Sequence, residues 1–232
     1  MRIIAWNANH NGHPKRSFAE AAELLFAQNA DLVILSEIAR PARKVTRRID
    51  WIGASNPGLG VEARNGYAIS LSDLNSRAPA LFGAYQVTGP LSFNLVAAWP
   101  VHYPTGPSYA QLLQEALTVF GEFLGAKRAM LVGDLNSSTR VSSQTKSHPV
   151  FVEQAKALKL ESLYHHRNQV AHGDEKQVTY RHNGRGKGRF HLDYCFLSPA
   201  LLGSAKIEIL DGAEWEQRSD HFPLVIDLPE SG

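Results

Sequence analysis

The chain has 232 residues, a formal net charge of +2 and a sequence pI near 8.7, with 44% hydrophobic and 20% charged residues. That length holds one large domain or two small ones with an ample core, and the weak positive charge permits a nucleic-acid partner without requiring one. Cys195 is the only cysteine, which excludes an intrachain disulfide, and no apolar run approaches the ~20 residues that span a bilayer. The N-terminus turns polar at Asn7, too early for the apolar stretch of a signal peptide, so the expected location is cytoplasmic.

In chain order, Ile3 to Trp6 reads as an opening strand that gives way to a polar loop from Asn7 to Pro14. Ser17 to Gln28 has apolar residues at near-helical spacing and predicts an amphipathic helix. Asp31 to Leu35 is a second buried strand, delivering Ser36 and Glu37 at its end. Strand, helix, strand is the beginning of an α/β layer. Five cations, Arg40, Arg43, Lys44, Arg47 and Arg48, follow within nine residues. Asp50 to Leu71 contains strand-like pieces broken by Asn56-Pro57-Gly58 and by Asn65-Gly66, a hairpin signal. Two further strands are expected at Leu81 to Val87 and Leu91 to Val101. Tyr109 to Leu124 is the strongest helical pattern, with Ser108 as its cap and Gly125 at its stop.

Met130 to Val132 is a short apolar run read as a core strand, followed by Gly133, Asp134, Leu135 and Asn136. On an extended chain, residues two apart share a face, so Asp134 and Asn136 would project together from the strand end. Each residue alone also suits an ordinary turn. Beyond them come a Ser/Thr-rich loop, a helix at Pro149 to Leu158, and short strands at Gln177 to Arg181, Phe190 to Leu197 and Ala205 to Leu210. A Gly-rich basic loop runs from Arg181 to Arg189. Ser219-Asp220-His221 precedes a last strand, Phe222 to Asp227. No linker or low-complexity tract divides the chain, so residues 1–232 are expected to form one domain.

The strand ends hold one class of side chain: Asn7, Glu37, His102, Asp134, Asn136, Asp193, Asp220 and His221. Each has a plainer reading, as a cap, a turn residue or a satisfied core histidine. Asp193 lies inside the apolar run Leu192 to Leu197, where an unpaired carboxylate is costly. His221 is its natural partner, since an Asp–His pair satisfies both groups. Oxygen donors with histidine and no sulfur suit Mg²⁺ or Mn²⁺, whereas zinc recruits more His or Cys.

Five segments in this order, Ile4-Ala-Trp-Asn7, Asp31-Leu-Val-Ile-Leu-Ser-Glu37, Val132-Gly-Asp-Leu-Asn136, His191-Leu-Asp-Tyr-Cys-Phe-Leu-Ser198 and Ser219-Asp-His-Phe-Pro-Leu224, span nearly the whole chain. In them the sequence resembles the endonuclease/exonuclease/phosphatase superfamily. The resemblance implies an α/β fold, a four-layer α/β sandwich of two packed mixed sheets flanked by helices, with the site at one rim. It implies a metal site of Glu37, Asn7 and Asp220. It assigns the attacking water to Asp134, the scissile phosphate to Asn136, and the orientation of His221 to Asp193, leaving open whether Asp134 or His221 takes the proton. His102 would assist the leaving group, with Tyr103 as its rival. Asn9 stands where apurinic-site enzymes often carry Asp, and His191 where Arg is common.

Arg40 to Arg48 and the loop carrying Arg185, Lys187 and Arg189 would flank that site and grip neighbouring phosphates, with Asn9 and Tyr103 also facing substrate. Charge runs are also ordinary solvated surface. The expected activity is hydrolysis of DNA or RNA phosphodiesters with Mg²⁺ (Mn²⁺ as a substitute), with no membrane and no obligate protein partner. A phosphatase or phosphodiesterase for a small or lipid phosphate is the second reading. A silent nucleic-acid-binding module is the third.

Overall fold

The computed structural model describes residues 1–9, 18–40, 49–182 and 188–229, with the side chains of the first helix from residue 22 onward. The described strands are β1 (Arg2–Asn7), β2 (Leu32–Ile38), β3 (Asp50–Ile52), β4 (Gly58–Ala63), β5 (Ala68–Leu71), β6 (Phe82–Thr88), β7 (Phe93–Ala98), β8 (Ala129–Asp134), β9 (Glu161–Ser162), β10 (Tyr180–Arg181), β11 (Arg189–Phe190), β12 (Asp193–Leu197), β13 (Lys206–Ile209) and β14 (Leu224–Asp227). The helices are α1 (Phe18–Ala27), α2 (Tyr109–Val119), α3 (Gly121–Leu124), α4 (Ser147–Ala157), α5 (Leu163–Asn168), α6 (Pro199–Leu202) and α7 (Ala213–Glu216).

Two six-stranded sheets carry the architecture. The first has the order β13-β14-β1-β2-β4-β3 and the second β5-β6-β7-β8-β12-β9, with β10 and β11 as a separate pair. Each is mixed: β1 runs parallel to β2, and β7 parallel to β8, among antiparallel neighbours. One apolar cluster, including Ile34, Leu95, Met130, Val132 and Cys195, joins the two sheets. Another packs Val96, Leu131, Tyr194 and Phe196, on the opposite face of the second sheet, against Leu113, Phe120 and Phe151 of the helical layer. Period-two alternation along β12 therefore sends Cys195 and Leu197 inward and Tyr194 and Phe196 outward. This is the layered α/β arrangement of two mixed sheets that the family resemblance implied.

Differences from the sequence reading have local causes. The helix from Tyr109 to Leu124 breaks at buried Phe120, whose backbone leaves helical geometry just before Gly121. Ser108 caps α2 in a reciprocal box with Gln111. The strand from Phe190 to Leu197 divides because the amides of Leu192 and Asp193 both donate to Thr179 Oγ1, at 2.9 and 3.0 Å, instead of to a neighbouring strand.

Gly133 is fixed by close approach. Its φ is +143°, and a Cβ there would lie 2.0 Å from the Ala98 carbonyl oxygen across the β7–β8 pairing. Neither the conformation nor the space admits a side chain, and the strand must make this close passage immediately before Asp134. Gly133→Ala should cost about 2–4 kcal/mol in chemical denaturation; a loss within experimental error of zero would show that the two strands part without strain.

Candidate active site

The polar strand ends converge because the two central strands end at one rim. β1 ends at Asn7 and β8 at Asp134, while β12 begins at Asp193, the register partner of Asp134. Glu37 reaches the same place by an irregularity. The β2–β4 register shifts between Leu35 and Ile38, and Glu37 takes a left-handed φ of 56°. A bulge re-aims a side chain that regular alternation would set by period two alone. Asp220 and His221 arrive from the segment before β14, where His221 bridges to Tyr180.

A hydrogen-bond lattice holds these groups. Asn7 Nδ2 donates to Glu37 Oε1 at 3.0 Å and to Asp134 Oδ2 at 2.9 Å, tying the first sheet to the second. Its Oδ1 accepts from the Asn9 amide at 3.0 Å, and Asn9 Nδ2 donates to Asp220 Oδ1 at 2.6 Å. His221 Nδ1 meets Asp193 Oδ2 at 2.8 Å, and Nε2 stands 3.8 Å from Asp134 Oδ2. The backbone around His221 is fixed as well. Ser219 Oγ accepts from its amide and donates to the Asn7 carbonyl, and Trp6 Nε1 donates to its carbonyl.

Asn136 meets Asp134 by a different route from the one its spacing implied. Its φ is 49°, so the chain is not extended there. Its amide donates to Asp134 Oδ1 at 2.9 Å, closing an Asx-type turn, and its Nδ2 donates to Asp134 Oδ2 at 3.1 Å and to the Pro100 carbonyl at 3.3 Å. The two side chains do come together, through a left-handed residue rather than a continuing strand.

Electrostatics follow from burial. Burial raises the Asp134 carboxyl, against the pull of His221, Asn7 and the Asn136 amide. Burial alone would depress His221, but Asp193, Asp134 and Asp220 outweigh it and raise the imidazole. Glu37 is raised mainly by burial, opposed by Asn7 and His221, with Asp220 and Asp193 adding repulsion. Asp134, Asp193 and His221 each offer a ligand atom, all within 4.8 Å of one another, so acidic and imidazole groups here could bind a metal.

A cavity of about 320 Å³ opens onto this set, lined by Asn9, Glu37, Asn136, Asp220 and His221 together with Tyr109, Tyr180, Val141, Gln144, Phe190 and Leu192. The two tyrosines were not singled out from the sequence. The signal was the polar loop ahead of α2, but His102 and Tyr103 were nearer the strand end. Tyr103 is 59% exposed, and His102 is an exposed loop residue with Nδ1 3.1 Å from the Pro107 carbonyl oxygen. Neither lines the cavity. His102 contacts it indirectly, its ring 5.8 Å from that of Tyr109. Arg189 is exposed on β11 and lines a separate cavity. Arg43, Lys44, Arg47, Arg48, Arg185 and Lys187 lie outside the described residues.

No protein-family model matches the sequence, and no curated protein sequence does so either. Solved structures do match in fold. A 3' phosphatase, NExo, from Neisseria, bound to a product DNA hairpin, has a TM-score of 0.72 at 16% identity, covering 99% of both chains. An AP endonuclease from Archaeoglobus fulgidus has a TM-score of 0.68 at 14% identity, covering 98% of this chain and 99% of its own. An endonuclease/exonuclease/phosphatase from Beutenbergia cavernae has a TM-score of 0.65 at 18% identity, covering 100% of this chain and 72% of its own. The alignments cover 98–100% of this chain, which shares the fold of these solved phosphatase, AP endonuclease and endonuclease/exonuclease/phosphatase structures.

Proposed function

We propose that this chain is a divalent-metal-dependent phosphodiesterase, a nuclease that hydrolyses DNA or RNA phosphodiester bonds. The observation that carries the reading is the buried Asp134–His221–Asp193 arrangement beside Glu37 and Asp220 at the mouth of a cavity. The fold-sharing Neisseria phosphatase binds a DNA product, which supports a nucleic-acid substrate.

The donor set fits a hard dication. Carboxylate and amide oxygens dominate it, and Glu37 is raised partly by the repulsion of Asp220 and Asp193, a surplus of negative charge that a cation offsets. Glu37 and Asp220, both facing the cavity, would hold Mg²⁺ or Mn²⁺. Bound there, the ion would polarise the phosphoryl group and steady the leaving oxygen.

The residues divide the remaining work by their surroundings. Two carboxylates flank His221 and favour its charged form, so it donates from Nε2 to a phosphate oxygen. That leaves Asp134, made more basic by burial, to accept the proton of the attacking water. Asp193 fixes the His221 ring. Asn7 and Asn9 act as donors that space Glu37, Asp134 and Asp220. Asn136 spends its amide hydrogens on Asp134 and Pro100, so it is a positioning residue for Asp134 in place of a direct phosphate ligand. The hydroxyls of Tyr109 and Tyr180, raised by burial and nearby carboxylates, stay protonated at neutral pH and can donate to substrate.

A groove with an excess of cations adjoins the cavity. Arg140, Lys176, Arg181 and Arg189, against the carboxylates of Glu175 and Asp211, line a depression of about 520 Å³ that shares Phe190 with the site. Cations spaced along a groove with an aromatic at its junction suit a polynucleotide backbone better than a small phosphate.

With Mg²⁺ present and then chelated, plasmid DNA, RNA and bis(p-nitrophenyl) phosphate provide the assay. Glu37→Gln and Asp134→Asn should each lower the rate by on the order of 10²–10⁴-fold while leaving the circular dichroism unchanged. Hydrolysis of a monoester with DNA left intact would replace the nuclease reading with a small-phosphate enzyme. In metal-free protein, nitrogen-15 NMR should find His221 still cationic above pH 6.5, its ordinary midpoint. Asp193→Asn removes one of the charges that raise it, so the midpoint should move down; an unchanged midpoint would mean that Asp193 does not act on the ring. Replacing Arg140, Arg181 and Arg189 together with Gln should weaken DNA cleavage, flatten its salt dependence and leave the small diester nearly untouched. Equal loss on both substrates would remove the groove from DNA binding.

A further inference from the structure

We propose that His165, His172 and Glu175 form a second metal site, specific for zinc or a similar nitrogen-preferring ion, on the face of β12 opposite the hydrolytic site. The inference is independent of the hydrolytic reading. Ligand atoms of the three residues all lie within 4.8 Å of one another. The rings of His165 and His172 stack at 3.6 Å between centroids and 14° between planes, so one ring must turn to bring both in-plane lone pairs onto a single ion, and His172 also packs on Tyr194 and Phe196, which face outward from β12. Asp193 and the hydrolytic set lie on the other side of that strand.

Two further histidines complete the cluster. His148 Nε2 meets His172 Nδ1 at 3.0 Å, and the His191 ring is 5.7 Å from that of His165. Three of these imidazoles have one nitrogen fixed by an oxygen: His165 Nδ1 by Ser162 Oγ at 2.7 Å, His148 Nδ1 by Ser137 Oγ at 2.9 Å, and His191 Nδ1 by the Gln177 carbonyl at 3.2 Å. Metal-binding histidines are held in this way; of the three, His191 keeps Nε2 free, His165 Nε2 faces the Glu175 carboxylate, and His148 Nε2 is bonded to His172 Nδ1.

Two atoms are left without partners. Glu175 Oε2 and His191 Nε2 are both buried and make no hydrogen bond. Buried polar atoms normally find partners, so two orphans beside one histidine cluster require an explanation. His165 Nε2 and Glu175 Oε1 are hydrogen-bonded at 3.1 Å, and an ion would replace that bond with a small adjustment, since two ligands at tetrahedral zinc stand roughly 3.3 Å apart. An imidazole-rich set with one carboxylate prefers zinc over magnesium, the reverse of the carboxylate-rich hydrolytic set. Solvent reaches the cluster through a cavity of about 630 Å³ that His165 and His172 line. An ion here would pin α4, α5 and the segment after α5, which leads to Thr179 and so to the amides that start β12.

The test uses the full chain without an affinity tag, stripped by chelator and kept in saturating Mg²⁺. Titration with Co²⁺ should give one visible-absorbing ion per chain, displaced by Zn²⁺. His172→Ala and Glu175→Gln should each weaken that binding by about 100-fold or more, whereas Glu37→Gln should leave it unchanged. X-ray absorption of the zinc-loaded wild type, which needs no variant to fold, should show a nitrogen-rich shell with imidazole scattering. An all-oxygen shell, no Zn²⁺ bound at micromolar concentration, or wild-type affinity in both cluster variants would overturn the proposal.

Discussion

Two carboxylates buried opposite each other on adjacent strands repel, and this chain places Asp134 and Asp193 in that relation. His221 makes the arrangement tolerable by standing between them, bonded to one and 3.8 Å from the other. Removing one partner of a buried charged set costs roughly 3–5 kcal/mol, more than the burial of a typical aliphatic side chain returns. Asp134 and Asp193 belong to the second sheet, and His221 arrives with β14 of the first. The polar set therefore closes the rim of the sandwich as well as forming its candidate active site, and Asn7 repeats the tie from β1 to Asp134.

The same constraint explains why the surrounding amides are donors. Each Asn at the rim donates to a carboxylate: Asn7 to Glu37 and Asp134, Asn9 to Asp220, and Asn136 to Asp134, with the Pro100 carbonyl as its second acceptor. A lattice of neutral donors spaces the negative charges without cancelling them. The cavity keeps the net negative character that a dication requires, while each oxygen has a fixed direction. Rigidity and charge surplus come from the same bonds.

β12 is the strand on which the molecule divides its polar chemistry. Its inward face carries Asp193 into the oxygen-rich set, and its outward face carries Tyr194 and Phe196 under the histidine cluster. Strand alternation keeps two polar groups apart within a few residues of sequence. Thr179 joins them, since its hydroxyl receives the amides that begin β12 and its segment continues from Glu175.

Apolar runs were sufficient to read β1, β2, β8, β12 and β14, because fully buried strands are short, continuous and end abruptly in polar residues. Asn7, Glu37, Asp134, Asp193 and His221 were legible as strand ends for that reason. What they do at the rim needed the fold. Glu37 depends on a bulge and Asn136 on a left-handed turn, and neither leaves a period in the sequence. Tyr109 displaces Tyr103 at the cavity because a loop, not a spacing rule, sets which tyrosine turns inward. His148 and His165 come from two helices, His172 and Glu175 from the segment after α5, and His191 from the link between β11 and β12, and their spacings match no ligand motif. Local sequence determined which segments are buried and which residues end them, since burial is written in side-chain chemistry. Only tertiary packing decided which ends meet, since that depends on strand order, register and single backbone angles.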